Sequence, residues 1–237
     1  MSKKNKKKKK LIVVLSTILL CLLVIDVAIV CKYKLGENSD EENTPITSDE
    51  ISIDIGNGML ITEMGSYDGN FMEDGTDEDV SNIMMIKVKN ESKQTIQYAE
   101  IRIPVKDREA KFSLSTLAPN STVILLEQKR MEYVEIETET AIAENVVIFV
   151  EPLVLHEDKI KIQILDGAIN VSNISGEDIT DDITIYYKNY VDDLYYGGIT
   201  YRIRIEGGLV KDEIRQIMAQ HFSDTNSKVM FVTIGAE

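Results

Sequence analysis

Two stretches of this chain read alike. "IKVKNESKQTIQYAEIRIPV" runs from Ile86 to Val105, and "INVSNISGEDITDDITIYY" runs from Ile169 to Tyr187. Ile86, Val88, Asn90, Ser92 and Ile96 match Ile169, Val171, Asn173, Ser175 and Ile179, each 83 residues on. Ile101 and Ile103 then match Ile183 and Ile185 at an offset of 82. Farther along, Leu117 in "LAPNSTVILL" answers Leu209 in "LVKDEIRQIM", and "VVIFV" from Val146 answers "VMFVT" from Val229. An internal duplication constrains the fold more than local propensity does, because both copies must satisfy one architecture. In each copy a strand with Ile and Val inward ends in Asn-x-Ser. Those side chains hydrogen-bond nearby backbone and make a turn without special glycine geometry. The chain then re-enters a strand at Ile96 or Ile179.

The surrounding pattern is also one of strands. "AEIRIPV", "NVVIFVEPL", "IKIQIL", "ITIYYKN", "ITYRIRI" and "KVMFVTI" are short, rich in Ile, Val, Tyr and Thr, and several alternate apolar with polar. "KNESKQ", "APNS", "SNISGED" and "SDTNS" punctuate them. "EYVEIETETAIA" alternates strictly, with Glu135, Glu137 and Glu139 on one face, and predicts a half-buried strand with an acidic outer side. The best local helix candidate is "GLVKDEIRQIMAQHF". The duplication aligns "EIRQIMAQHF" with "TVILLEQKR", so a strand is expected there instead. Regularly spaced short strands favour antiparallel β-sandwiches. The expected fold is mainly β, with two tandem sandwich modules at 51–155 and 156–237.

The N-terminus constrains location. Seven of the first ten residues are Lys, and "LIVVLSTILLCLLVIDVAIV" follows from Leu11 to Val30. Its 20 residues reach about 30 Å as a helix, the thickness of a bilayer core. No Ala-x-Ala cleavage site follows, and Val30 rather than a small residue precedes Cys31. An uncleaved signal anchor is expected. Lys3, Lys4 and Lys6 to Lys10 before the span, against Lys32 and Lys34 just after it, place the N-terminus in the cytoplasm and the rest outside. The reading is a cytoplasmic basic segment at 1–10, a single-pass transmembrane helix at 11–31 that engages the lipid bilayer, and an acidic linker at 32–50. "GENSDEENTPITSDE" in that linker carries too little apolar surface to offset chain entropy. Cys21 and Cys31 both belong to the span or its edge, so no disulfide holds the rest, and a packed core must. After residue 34 the chain has 17 Lys and Arg against 39 Asp and Glu, a net charge of −22. Such a surface repels nucleic acid.

The Val-x-Asn-x-Ser-x-x-x-Ile pattern, the strand after it and the late Leu-x-x-x-Glu-type turn before a last hairpin resemble the FxLYD-type immunoglobulin-like modules of Gram-positive surface proteins. The likeness covers roughly residues 80–235, although no Phe-x-Leu-Tyr-Asp occurs. The whole chain resembles signal-anchored surface proteins of low-GC Gram-positive bacteria. The resemblance implies an immunoglobulin-like fold and no catalytic residues.

Chemistry-bearing motifs are sparse. His156 and His221 have no Cys or His at zinc-ligand spacing, and Gly-x-Ser-x-Gly, phosphate loops and His-Glu-x-x-His do not occur. No catalytic residue, metal site or cofactor is expected. "SYDGNFMEDGTDEDVS", Ser66 to Ser81, offers carboxylates to Ca²⁺, but Met72 stands where an EF-hand needs its fifth ligand. A solvated loop is expected. Tyr186, Tyr187, Tyr190, Tyr195, Tyr196 and Tyr201 crowd into 16 residues, and Gly197 and Gly198 read as a hairpin tip. Exposed Tyr is a common contact residue, so Tyr187, Tyr190, Tyr195, Tyr196 and Tyr201 are the candidate partner-binding set. The expected function is a membrane-anchored, extracytoplasmic, non-enzymatic binding or scaffold role in the cell envelope, with an envelope protein as partner. A calcium-responsive adhesion module and an envelope enzyme with an unrecognised site are the alternatives.

Overall fold

Asn90 and Asn173 build the same turn twice. The Asn90 amide donates to Gln94 O at 2.9 Å and to Leu117 O at 2.9 Å. Its Oδ1 accepts from Ser92 N at 3.0 Å and Ser92 Oγ at 2.7 Å. The Asn173 amide donates to Glu177 O at 2.7 Å and Leu209 O at 3.0 Å, while its Oδ1 accepts from Ser175 N at 3.0 Å and Ser175 Oγ at 2.8 Å. Both Asn side chains are buried, and every donor and acceptor they carry is used.

The computed structural model describes residues 47–135, 140–165 and 167–235, and among them there are strands and no helix. The expectations for 1–10, 11–31 and most of 32–50 lie outside the described residues. The first half comprises β1 (Thr47–Gly56), β2 (Met59–Phe71), β3 (Glu78–Asn90), β4 (Ile96–Val105), β5 (Arg108–Leu117), β6 (Thr122–Leu126) and β7 (Ile142–Ile148). The second comprises β8 (Ile160–Leu165), β9 (Ala168–Asn173), β10 (Ile183–Val191), β11 (Leu194–Ile205), β12 (Ile214–Met218) and β13 (Ser227–Ile234).

Three sheets form, ordered β1-β2-β3-β6-β11-β10-β13, β12-β9-β8 and β5-β4-β7. The halves correspond strand by strand. β2-β3-β6 answers β8-β9-β12, and β5-β4-β7 answers β11-β10-β13. Register agrees: Asn90 faces Met59 and Val88 faces Ile61, while Asn173 faces Ile160 and Val171 faces Ile162. Each half encloses a core between its two sheets. Ile61, Ile86 and Val88 meet Ile101, Ile103 and Phe112 in the first, and Ile169 and Val171 meet Ile183, Ile185 and Ile205 in the second. Each fully buried Ile contributes about 1.5–3 kcal/mol. All strand pairs are antiparallel except β6 with β11, which joins the halves into one seven-stranded sheet. The fold is mainly β, with antiparallel sheets packed face to face as in a β-sandwich.

β12 is a strand, as the duplication requires and against the helical propensity of its sequence. Four other details depart from the sequence reading. β1 begins at Thr47, inside the expected linker, because backbone pairing with β2 stabilises a segment whose composition alone does not. "EYVEIETETAIA" is not one strand: Glu132 makes a single bridge to Ile83, positions 136–139 lie outside the described residues, and β7 starts at Ile142. β6 and β7 belong to different sheets. β7 and β13 are equivalent strands in a different register. Ala143 faces Ile101, and Ile101's counterpart Ile183 faces Ile234, so Val146 does not answer Val229. Finally, the β10–β11 turn falls at Asp192 and Asp193, with φ of 49° and 64°. Two successive left-handed residues suit the twist of a two-residue hairpin. Gly197 and Gly198 lie inside β11 instead.

Candidate functional site

The tyrosine cluster is the first place to look, and it faces inward. Tyr187 is buried in the second core, stacked 5.4 Å from Tyr201 and edge-on to Phe222 at 5.1 Å. Its hydroxyl donates to Gln220 O, and burial pushes its pKa up to about 12. Tyr195 leaves β11 to enter the first core, opposite Val123 of β6. Tyr196, half-buried and opposite Ile124, packs with Phe71, Met72 and Leu126 on the other face of the same sheet. Tyr190 is half-buried, donates to Asp193 Oδ1 at 2.8 Å and carries Lys228 Nζ 4.4 Å above its ring. Tyr201 is half-buried and stacks on His221 at 5.1 Å. A strand alternates its side chains between faces, and at Tyr195 and Tyr196 both faces of β11 are covered. Tyr195 and Tyr196 therefore stitch one half to the other, and the exposed tip that the glycines suggested is not formed.

Behind this seam lies a polar node that sequence reading missed. Opposite Lys188, β11 bulges outward through Gly197–Thr200, since Tyr187 faces Tyr201 while Asn189 faces Tyr196. Lys188, 1 % exposed, runs into the bulge and donates to Ser115 O at 2.9 Å, Ile199 O at 3.0 Å and Gly198 O at 3.2 Å. Glu73 accepts from Leu126 N of the first half and Gly198 N of the second, both at 2.8 Å. Ser115 Oγ closes the node on Gly198 O at 2.7 Å. A Cβ on Gly198 would sit 1.9 Å from Ser113 O, so only glycine admits this approach. Burial raises the Glu73 carboxyl to about 7, offset by its two backbone donors and by the Lys188 charge. Burial lowers the Lys188 ammonium to about 7, offset by the charge of Glu73. The sequence signal was a lysine inside a strand rich in apolar and aromatic residues, "ITIYYKNYV".

The acidic stretch from Ser66 to Ser81 is not a free loop. It forms the ends of β2 and β3 and the connection between them. Asp68 accepts from Ser81 Oγ and Asn82 N, Asp74 from Thr76 and Arg130, and Glu78 from Arg130. Asp77 Oδ2 lies 2.7 Å from His221 Nδ1, beside a cavity of about 440 Å³ that Tyr196 and Ser223 also line. Neighbouring hydroxyls bond elsewhere: Ser223 Oγ with Thr225 Oγ1, and Ser227 Oγ with the backbone of His221. The ring of His221 thus has an orienting carboxylate, with its hydroxyl neighbours engaged away from it. Among the described residues no group of three or more His, Cys, Asp or Glu is placed to hold a metal ion, and no helix is long and apolar enough to cross a membrane.

The larger opening is apolar. A groove of about 550 Å³ runs between β8 and β13, lined by Leu155, Ile160, Ile162, Ile164, Ile174 and Val229 with Glu157, Lys161, Ser227 and Lys228 beside them. β8 ends its sheet, so half of its backbone N–H and C=O groups face the open side. Ile174 is 50 % exposed and Ile164 38 %. Apolar surface on an open strand edge marks an interaction site more often than a burial failure. The chain matches no known protein-family profile, no curated protein and no solved structure.

Proposed function

We propose that this chain is a membrane-anchored, extracytoplasmic binding or scaffold protein of the cell envelope, without catalytic activity. The basic segment 1–10 and the apolar span 11–31 would hold it in the bilayer, and immunoglobulin-like modules at 51–155 and 156–237 would face outward. The observation that carries the reading is the open apolar groove beside β8. It replaces the tyrosine hairpin as the contact surface, since Tyr187 and Tyr195 are buried. The charge of the chain beyond residue 34, −22, disfavours nucleic acid and anionic polymers as partners.

In-cell cross-linking of the tagged full chain, followed by mass spectrometry, tests this. A recurrent envelope protein linked to residues of the second half is expected. Protease added to intact cells should also digest the part beyond residue 46. Cross-links confined to cytoplasmic proteins, or full protection from external protease, would overturn the proposal.

A further inference from the structure

The two halves differ at the edge where the groove lies. In the first, β1 pairs with β2, placing Gly56 opposite Met59, Ile53 opposite Ile61 and Asp49 opposite Met64. Met59, Ile61 and Met64 occupy the positions of Ile160, Ile162 and Ile164, because each pair faces the same repeat residue on β3 or β9. Under β1, Met59 and Ile61 are 0 % exposed and Met64 is 5 %. Without a covering strand, Ile160 is still buried at 1 %, but Ile162 is half-buried and Ile164 is 38 % exposed. β1 also sends Ile51, Ile53 and Ile55 into a core shared with Ala143 and Val146 of β7. In the second half β13 takes the place of β7, and the groove stands where β1 would be.

The chain itself does not supply the strand. Counting back from Ile160 as from Met59, the positions of Ile51, Ile53 and Ile55 are held by Pro152, Val154 and His156. Proline lacks the N–H that a ladder needs. The segment instead runs along β13, where Val154 O accepts from Val232 N at 2.9 Å. It has switched sheets and left β8 without a second neighbouring strand, apart from the Ile160 N–H, which donates to His156 O at 2.9 Å.

We infer that the second half accepts, antiparallel to β8, an extended segment of a partner protein with apolar residues at alternate positions. β1 itself, "TSDEISIDIG", is the internal template for such a segment. Backbone pairing to β8 supplies affinity, and the pockets over Ile160, Ile162 and Ile164 select the alternation. The lining carries Lys161 and Lys228 together with Glu157, so its charge is mixed and the alternation of apolar residues sets the fit. The inference rests on the binding role proposed above and identifies its ligand class.

The probe is a fluorescent peptide of residues 47–58, titrated by anisotropy into the full chain in detergent micelles. Saturable binding is expected, with slowed amide exchange at β8. Ile162→Lys should weaken it by about tenfold or more. A peptide with serine at its three isoleucines should not bind. Ile164→Asp, at a partly exposed site, serves as a second variant if Ile162→Lys lowers the unfolding temperature. No binding, binding indifferent to both variants, or protection away from β8 would overturn the inference. Self-association that both variants abolish would overturn it too, assigning the groove to a second copy of the chain. If cross-linking finds an envelope partner but the groove variants retain it, this inference fails while the binding role stands. If no partner is found, the binding role fails first.

Discussion

Replacing Lys188 by methionine tests what holds the halves together. The side chain keeps its length and its aliphatic stem, and loses a charge and three donors. Ser115 O, Gly198 O and Ile199 O lose their hydrogen bonds, and the Glu73 carboxylate loses its compensating cation. Leaving three buried carbonyls without their donor, and Glu73 without its nearby cation, costs roughly 3–5 kcal/mol. In a unit of this size each kcal/mol lowers the midpoint by about 2–4 °C, so a fall of about 10 °C is expected. The node joins β5 of the first half to β10 and β11 of the second, so the loss should also reduce cooperativity. Differential scanning calorimetry should show one transition for the parent chain and a broadened or split one for Lys188→Met. Adding Glu73→Gln to Lys188→Met should recover part of the loss, because no uncompensated charge then remains. If Lys188→Met lowers the midpoint by less than about 2 °C, or if the double variant is worse than the sum of the singles, the pair does not lock the seam.

Three further outcomes follow from the same contacts. Asn90→Ala and Asn173→Ala each leave buried carbonyls and a serine N–H unpaired, so each should cost roughly 2–4 kcal/mol in urea unfolding, and the two should agree within about 1 kcal/mol because the bonds are the same. Gly198→Ala should prevent folding or open the seam, read as lost near-ultraviolet dichroism, since its Cβ would lie 1.9 Å from Ser113 O; a native-like spectrum refutes the close approach. The Glu73 carboxyl, raised to about 7, gives stability present below its unfolded pKa and lost as pH rises through about 7. The Lys188 ammonium, lowered to about 7, gives stability present above its unfolded pKa and lost as pH falls through about 7. The pair therefore stabilises least near neutrality, and the melting midpoint should rise between about pH 7 and pH 9 in the parent chain and fall over that range in Lys188→Met, where Glu73 loses the cation that holds its pKa down.

The duplication was legible because turn chemistry is local. Asn90 and Ser92 bond within a few residues, so their spacing records the turn, and Ile86 and Val88 record the face. The strand at Ile214–Met218 was legible only through the repeat, since its own residues favour a helix. The seam was not legible, because it depends on a parallel pairing between residues far apart in the chain, Tyr195 with Val123 and Tyr196 with Ile124. That pairing turns the tyrosines from a surface into a seal. The hairpin tip was misplaced because Gly197 and Gly198 are needed for a bulge and a close contact, while Asp192 and Asp193 take the left-handed turn. The groove left a trace that could have been read: "SIDIG" precedes the first copy, and a proline stands at the matching place before the second.

Strand edges decide what the two copies can do. An open edge invites pairing with any extended chain, and proteins usually blunt it with proline, bulges, charge or a covering element. In the first half β2 is covered by β1, and β6 is covered by β11. Gln128 N donates to Lys111 O, so the β6–β7 connection also caps part of β5. In the second half β8 has neither proline nor bulge, its partner β9 follows it residue for residue, and its inward side chains are three isoleucines. Lys161 and Gln163 are the only polar residues on it, and both lie on the other face from the isoleucines. Two copies of one unit thus share a turn, a core and a strand order, and differ in whether the first strand stays with its sheet. That difference leaves β8 as an open edge beside an apolar groove in one copy, while its counterpart β2 is paired with β1 in the other.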